Sequence, residues 1–251
     1  MKSILTLCAF ITAAFAQHVD GPVNITRHPY LLELLNNQKH WCGAILINSR
    51  IVLSTAHCTY QVPKENLTIL AGSSISQNVY TKQYKISSIR YYKKYDPKRP
   101  YNDISVIFPI LSIDTEEKYV VPIHVAEMYY PPGTEVIVSG WKLVKGRHMI
   151  LSHKLTLKGK RTCKADYKKL NITVFEGDLC AYEEDDAVCQ AESGGALIIR
   201  NKLVGIVSRI YYPYCMLYPG LYTSFVHYKP FVKSTVKKVL STKKKTKKTK
   251  K

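Results

Sequence analysis

The chain has 251 residues and carries 37 Lys and Arg against 18 Asp and Glu, a formal net charge of +19. No apolar stretch reaches the length that a membrane-spanning helix needs, which excludes a transmembrane segment. There is neither a Gly-rich phosphate loop nor a pair of cysteines at zinc spacing. We therefore expect no nucleotide cofactor and no metal.

Residues 1–16 have the pattern of a secretory signal peptide. Lys2 precedes an apolar run over residues 4–14, which ends in small residues before Gln17. Cleavage before Gln17 leaves about 235 residues, enough for two ordinary domains, although all-β chains of this size commonly form one compact unit. We expect a secreted, extracellular protein.

Short apolar or alternating runs recur about every ten residues from His28 onward, separated by turn residues such as those at 131–133 and 219–220. This regular spacing of short apolar runs and turns is typical of an all-β sandwich or barrel. The runs that predict strands are 41–47, 51–54, 67–71, 84–89, 104–108, 135–138, 151–157, 196–199, 203–210 and 221–225.

Two segments predict helices, 162–170 and 229–240. The second places Val232 and Val236 on one face, and Pro230 suits its first turn. Residues 241–251, which follow it, hold seven lysines and no acid. This composition predicts a disordered tail.

The positive charge extends beyond this tail. Without the tail lysines and Lys2 the body still carries a net charge of about +11. Such a field favours anionic partners, namely glycosaminoglycans, anionic lipid surfaces or nucleic acid released outside cells. The alternative is a solvated tail that only aids solubility. The lysines would also fit a nuclear localisation signal, but the secretory leader argues against it.

Cysteines and asparagines agree with secretion. Once Cys8 leaves with the leader, an even number of cysteines remains in an oxidising compartment, which indicates three disulfides. Asn24, Asn66 and Asn171 are each followed two residues later by threonine, so they are candidate glycosylation sites on the surface. The six cysteines are Cys42, Cys58, Cys163, Cys180, Cys189 and Cys215.

Three separated residues could form a nucleophilic site. Ser193 lies in CQAESGGAL between an acid and two glycines, and a serine nucleophile needs a general base. His57 in VLSTAHC could supply the base, and Asp103 in YNDISVI could fix its tautomer. Cys58 can pair with Cys42, and closing that loop is worth roughly 3 kcal/mol. Taken singly, each of the three polar residues also has a purely structural interpretation.

The segments CGAILINSRIVLSTAHC, YNDISVI, VSGWK, CQAESGGAL and IVSRIYYPYCMLYPGLYTS occur in the order and spacing of the chymotrypsin-like (trypsin-like) serine proteases, which the chain resembles over nearly all of 18–240. The resemblance implies an all-β fold of two antiparallel β-barrels, about 18–120 and 121–228, with the active site between them and a C-terminal α-helix at 229–240. It implies that Ser193, His57 and Asp103 are nucleophile, base and orienting acid. It also implies the disulfides Cys42–Cys58, Cys163–Cys180 and Cys189–Cys215.

The two residues before the nucleophile depart from this family, which has glycine and aspartate there. Backbone N–H groups of Ala191 and Ser193 correspond to the oxyanion hole, but a Cβ resists the φ > 0 region that glycine enters freely. Glu192 stands where the family's aspartate receives a new amino terminus. The N-terminal motif is HVDG at 18–21, preceded by Gln17 rather than a basic activation site.

The specificity pocket also departs from trypsin. Its floor corresponds to Ala187 and Val188, with no acid to receive Arg or Lys, and its walls correspond to Ile210 and Gly220. A small aliphatic side chain, or a blocked pocket, fits this set. Arg209 stands where the family prefers tryptophan, and Ser208 matches a residue that holds the buried aspartate.

Two functions remain open. The first is a monomeric, secreted serine endopeptidase acting on protein or peptide substrates through an acyl-enzyme on Ser193, with a non-tryptic, small or restricted apolar pocket. The alternative is a catalytically impaired homologue, a binding or regulatory module with a basic docking surface.

Overall fold

The computed structural model describes residues 23–78, 80–99, 101–182, 191–211 and 217–248, with side chains through Ser241. Among these residues, no helix combines the length and the apolar character that crossing a membrane requires. The strands are β1 (Leu31–Asn36), β2 (Lys39–Asn48), β3 (Ile51–Ser54), β4 (Leu67–Ala71), β5 (Lys82–Tyr91), β6 (Ser105–Pro109), β7 (His124–Val125), β8 (Glu135–Val144), β9 (Arg147–Lys158), β10 (Asp178–Tyr182), β11 (Ala196–Ile199), β12 (Lys202–Arg209) and β13 (Gly220–Ser224), and the α-helices are α1 (Lys160–Lys168) and α2 (Phe225–Lys248).

Strands β1 to β6 close into an antiparallel barrel in the order β1-β2-β3-β6-β5-β4. Successive side chains of a strand point to opposite faces, and in β3 both faces are buried. Val52 packs with Leu46 and Ile107 inside this barrel, whereas Leu53 packs in a second cluster that includes Trp141 from β8. This second cluster joins the two halves of the molecule and explains why β3 is apolar on both faces from Ile51 to Leu53.

The other half is a seven-stranded sheet in the order β11-β8-β9-β10-β13-β12-β7. Pairing of β11 with β12 closes six of its strands into a second antiparallel barrel, and β7 adds to β12 in parallel. The predicted fold class is confirmed: two six-stranded antiparallel barrels with a C-terminal helix.

The terminal helix differs from the predicted segment 229–240. It begins at Phe225 and continues to Lys248, so residues 241–248 are helical where composition predicts disorder. Ser224 caps the start, because its hydroxyl accepts a hydrogen bond from the His227 backbone N–H at 3.3 Å. Lysine has a high helix propensity and suits a helix C-terminus, so the lysine-rich sequence extends the helix.

Two disulfides lie within the described residues. Cys42 of β2 is bonded to Cys58, in the loop after β3. Cys163 of α1 is bonded to Cys180 of β10, and α1 also buries Tyr167. The remaining pairing, Cys189 with Cys215, lies outside the described residues.

Candidate active site

His57 and Asp103 form a two-point contact. The His57 backbone N–H donates to Asp103 Oδ1 at 2.9 Å, and His57 Nδ1 lies 2.7 Å from Asp103 Oδ2. An ionised carboxylate at this position makes Nδ1 the donor and leaves Nε2 as the basic nitrogen. His57 is held in place by the adjacent Cys42–Cys58 disulfide, and its side chain remains 34% exposed.

The second barrel holds Asp103 from the other side. Ser208 Oγ of β12 donates to Asp103 Oδ2 at 2.5 Å, and Thr223 Oγ1 of β13 donates to the Asp103 carbonyl at 2.9 Å. Burial raises the pKa of Asp103, but the hydrogen bonds and charge of His57, with the Ser208 hydroxyl, outweigh it and hold that pKa below its ordinary value. The carboxylate therefore stays ionised although the residue is only 2% exposed.

Ser193 lies with His57 in one cleft of about 580 Å³ between the barrels. The hydrogen bonds among the described residues include none from Ser193 Oγ to His57, and such bonds are often long in a free enzyme. The residues that line the cleft are Trp41, Cys42, His57, Ala191, Glu192, Ser193, Val207, Ser208, Arg209, Ile210 and Tyr211.

The backbone after the nucleophile is fixed by direct contact with β2. The Gly43 N–H donates to the Ser193 carbonyl at 2.8 Å. Gly194 has a φ of +88°, and a Cβ there would lie 1.9 Å from the Gly43 carbonyl oxygen. Only glycine fits this position, which explains one of the two glycines in the SGG motif.

The Glu192 carboxylate already has partners. Its Oε2 lies 2.7 Å from His40 Nε2, and its Oε1 accepts a hydrogen bond from the Leu143 backbone N–H at 3.0 Å. His148 Nε2 lies 3.4 Å from Oε1. Burial raises the pKa of Glu192. The hydrogen bond and the charge of His40 lower it by more than burial raises it, so the pKa lies below its ordinary value.

His40 lies between two carboxylates, donating from Nε2 to Glu192 and from Nδ1 to Glu33 Oε1 at 2.8 Å. Burial lowers the pKa of His40, but the hydrogen bonds and charges of Glu192 and Glu33 raise it to about 9. Sequence reasoning missed both His40 and Glu33, because they lie in β1 and β2 with no motif that marks them. The nearest sequence feature that could have drawn attention to His40 is Cys42, two residues later.

The other predicted positions divide between described and undescribed residues. Ala191 is half-buried against the interior of the second barrel, Ile210 lines the cleft, and Gly220 is buried at the start of β13. Ala187 and Val188 lie outside the described residues.

Arg209 is buried beside the cleft. Its guanidinium pairs with Asp178 of β10 and lies 5.7 Å from the ring centre of Phe175. Burial lowers the pKa of Arg209, but the Asp178 charge more than offsets this and keeps the pKa raised. The position that holds tryptophan in the resembled family thus holds a cation here.

The candidate glycosylation sites lie at or near the surface. Asn24 and Asn171 are exposed and Asn66 is half-buried.

Comparisons with known proteins agree with this architecture. The family model described as trypsin matches residues 20–232. Trypsin theta of Drosophila erecta is 30% identical over 244 residues, which cover 88% of this chain and 92% of that protein. Trypsin of Sarcophaga bullata is 26% identical and covers 95% of this chain and 100% of its own length.

Solved structures share the fold. An inactivated protease paralogue of the scabies mite superposes with a TM-score of 0.78 at 21% identity, covering 87% of this chain and 96% of that chain. Neuropsin, a serine protease of mouse brain, gives a TM-score of 0.75 at 24% identity, covering 86% and 97%. With a family match over most of its length, the chain belongs to the trypsin family of serine proteases.

Proposed function

We propose that this chain is a secreted serine endopeptidase that cleaves peptide bonds through an acyl-enzyme on Ser193. The observation that carries the proposal is the His57–Asp103 contact, with Nδ1 2.7 Å from Oδ2, in the same cleft as Ser193. The leader pattern of residues 1–16 supports secretion.

The residues fit the steps of acyl transfer. His57 Nε2 takes the proton of Ser193 Oγ as that oxygen attacks the substrate carbonyl, and it then gives the proton to the leaving amine. Asp103 stabilises the imidazolium that forms between these steps. The backbone N–H groups of Ser193 and Ala191 are the proposed donors to the oxyanion. Water then attacks the ester carbonyl while His57 Nε2 takes its proton, and return of that proton to Ser193 Oγ breaks the ester bond and releases the carboxylic acid.

We propose a non-tryptic specificity. The floor of the pocket corresponds to Ala187 and Val188, which offer no carboxylate to a basic side chain, and Ile210 narrows a wall that glycine usually forms. A small aliphatic residue before the scissile bond fits such a pocket. Hydrolysis of a set of chromogenic peptides should therefore favour Ala or Val over Arg or Lys by at least about tenfold.

The second candidate is a non-catalytic homologue that uses the fold and its basic surface for binding. Its support is the Glu192–His40 contact at 2.7 Å, because a new amino terminus would have to displace an imidazole that already neutralises Glu192. The likeness to an inactivated mite paralogue, at 21% identity, concerns the fold alone.

A fluorophosphonate probe separates the two candidates. The probe forms a covalent bond only with an activated serine, so the mature protein should be labelled at neutral pH while Ser193→Ala should not. Ser234→Ala, which changes an exposed serine of α2, is the matched control and should label like the parent. If the folded protein is not labelled at any pH between 6 and 9, the endopeptidase proposal is wrong and the non-catalytic homologue is favoured.

A further inference from the structure

A cluster of two imidazoles and one carboxylate lies behind the nucleophile loop. His40 lies in β2 and His148 lies in β9. Glu192 is the residue directly before Ser193. One ligand atom from each lies within 4.8 Å of the other two. The imidazole rings of His40 and His148 stack, with centroids 3.9 Å apart and planes 15° apart.

We propose that His40, His148 and Glu192 form a binding site for a single Zn²⁺ ion. Two imidazole nitrogens and one carboxylate oxygen are a ligand set that Zn²⁺ takes in proteins, with water in a fourth position. Glu192 can serve without losing its backbone contact, since Oε1 accepts from Leu143 while Oε2 faces His40 and a carboxylate has several lone pairs.

Glu33 supplies the outer contact that such sites use. A metal-bound histidine usually donates its second ring nitrogen to a carboxylate, which fixes its tautomer and orientation. His40 Nδ1 lies 2.8 Å from Glu33 Oε1. Glu33 is itself held, since the Ser76 hydroxyl donates to Oε1 and the Gln77 backbone N–H donates to Oε2 at 3.1 Å.

Small movements would bring the ligand atoms to metal distances. Zn²⁺ binds nitrogen and oxygen at about 2.1 Å, so neighbouring ligands of a tetrahedral site lie about 3.4 Å apart. His148 Nε2 lies 3.4 Å from Oε1 of the same Glu192 carboxylate and must shift toward Oε2, whereas the 2.7 Å contact between His40 Nε2 and Oε2 must widen. The stacked rings must also tilt so that their lone pairs converge, which His148 can do because its side chain is 28% exposed.

The site can be reached from solvent. The side chains of His148 and Glu192 are 28% and 30% exposed, while His40 is 5% exposed on the inner side. A second cluster, Cys42, Cys58 and His57, does not compete, because both of its sulfur atoms are in a disulfide and offer no thiolate.

The test uses the full mature chain carrying Ser193→Ala, so that self-cleavage plays no part and the outcome is independent of the proposed activity. After treatment with a chelator, Zn²⁺ is titrated at pH 8 in a calorimeter, because protons compete with metals for imidazole. We expect one equivalent of Zn²⁺ to bind. Co²⁺ should give the visible absorption of a tetrahedral site, and Ca²⁺ should not compete.

Three variants locate the ion. His148→Gln should lower the Zn²⁺ affinity at least about tenfold, and so should Glu33→Gln through its contact with His40. His124→Gln changes an exposed histidine of β7 and should leave the affinity unchanged. The proposal is overturned by absence of saturable binding over the Zn²⁺ concentrations that stay dissolved at pH 8, or by binding that His148→Gln leaves unchanged.

Discussion

Glu192 and His40 join the nucleophile loop of the second barrel to strand β2 of the first, with Oε2 and Nε2 2.7 Å apart. The same imidazole contacts Glu33, whose side chain is 2% exposed. One histidine thus compensates two carboxylates, one of them deeply buried.

Removing this histidine should destabilise the protein. His40→Gln leaves the buried Glu33 carboxylate without its cation, which costs about 3 to 5 kcal/mol of unfolding free energy. Chemical denaturation measures the loss. Adding Glu33→Gln to His40→Gln should recover part of it, because the stranded charge disappears. A loss below about 0.5 kcal/mol, the range of ordinary surface changes, would contradict this account.

Changing Asp103 to Asn should nearly abolish activity without unfolding the protein. Asn can still accept from the His57 backbone N–H through Oδ1, but its amide nitrogen then faces His57 Nδ1 and favours the wrong tautomer. We expect kcat to fall about 10⁴-fold, the loss measured for the same change in another serine protease triad.

Ser208→Ala is the milder companion variant. It removes one hydrogen bond to Asp103 Oδ2 while leaving the His57 contacts in place. It should lower kcat about ten- to a hundredfold, as expected for a hydrogen bond of about 1.5 to 3 kcal/mol to a charged group. Equal losses in both variants would mean that Asp103 acts through Ser208 rather than through the tautomer of His57.

Ala191→Gly should raise the reactivity of Ser193. Glycine enters the φ > 0 region freely and can turn its N–H toward the oxyanion, and one such donor is worth about a hundredfold in rate. The second-order rate of fluorophosphonate labelling gives the comparison. Ala191→Val is the opposite control and should label more slowly, because its larger side chain must fit beside Gly140, where an added Cβ would lie 3.5 Å from Ala191 Cβ. Equal rates in all three proteins would exclude a role for this position.

Stability should fall in mildly acidic solution because of His28. Burial, with a smaller effect of the Arg27 charge, lowers the pKa of His28 to about 4, against about 6.5 in an unfolded chain. Between these values the unfolded state binds a proton that the folded state does not. The contribution is therefore complete above pH 6.5, is lost progressively as pH falls from 6.5 to 4, and is gone below 4.

The loss amounts to about 3 kcal/mol of unfolding free energy. Denaturation at pH 7 and pH 4.5 should give a smaller difference for His28→Gln than for the parent. Parallel losses in the two proteins would show that His28 is not the group responsible.

The lysine-rich end should bind polyanions. Deletion of 241–251 removes seven lysines and should lower the salt concentration that elutes the protein from heparin. Each lysine bound to a heparin sulfate releases a counterion, and losing these contacts weakens binding. A version with these lysines changed to Gln keeps the length and should elute like the deletion. Unchanged elution would assign any polyanion binding to the body.

Strand prediction succeeded where burial is uniform. The segments 51–54, 67–71 and 196–199 have the bounds of β3, β4 and β11, because each is buried on both faces and is predominantly apolar, with Ser54 and Thr68 as the polar residues. The prediction missed β1, although it is almost entirely buried, and β10, where Asp178 and Cys180 interrupt the pattern.

At the site, motifs predicted which residues would meet but not what surrounds them. His57, Asp103 and Ser193 lie in recognisable segments, whereas His40, His148 and Glu33 lie in ordinary strands. Their proximity to Glu192 comes from the packing of two barrels, which local sequence patterns do not encode. The same reason explains α2, whose first turn depends on the Ser224 hydroxyl rather than on Pro230.

The contact of Gly194 with Gly43 is made by backbone atoms alone. At this point the backbone of β2 touches the backbone of the loop that carries Ser193, so exchanging side chains elsewhere in the cleft changes its chemistry without changing the spacing between these two glycines. Variant libraries aimed at new substrates can therefore alter the lining residues outside the triad, the disulfide and the ion pairs, Ile210 among them, provided that these two glycines are left untouched.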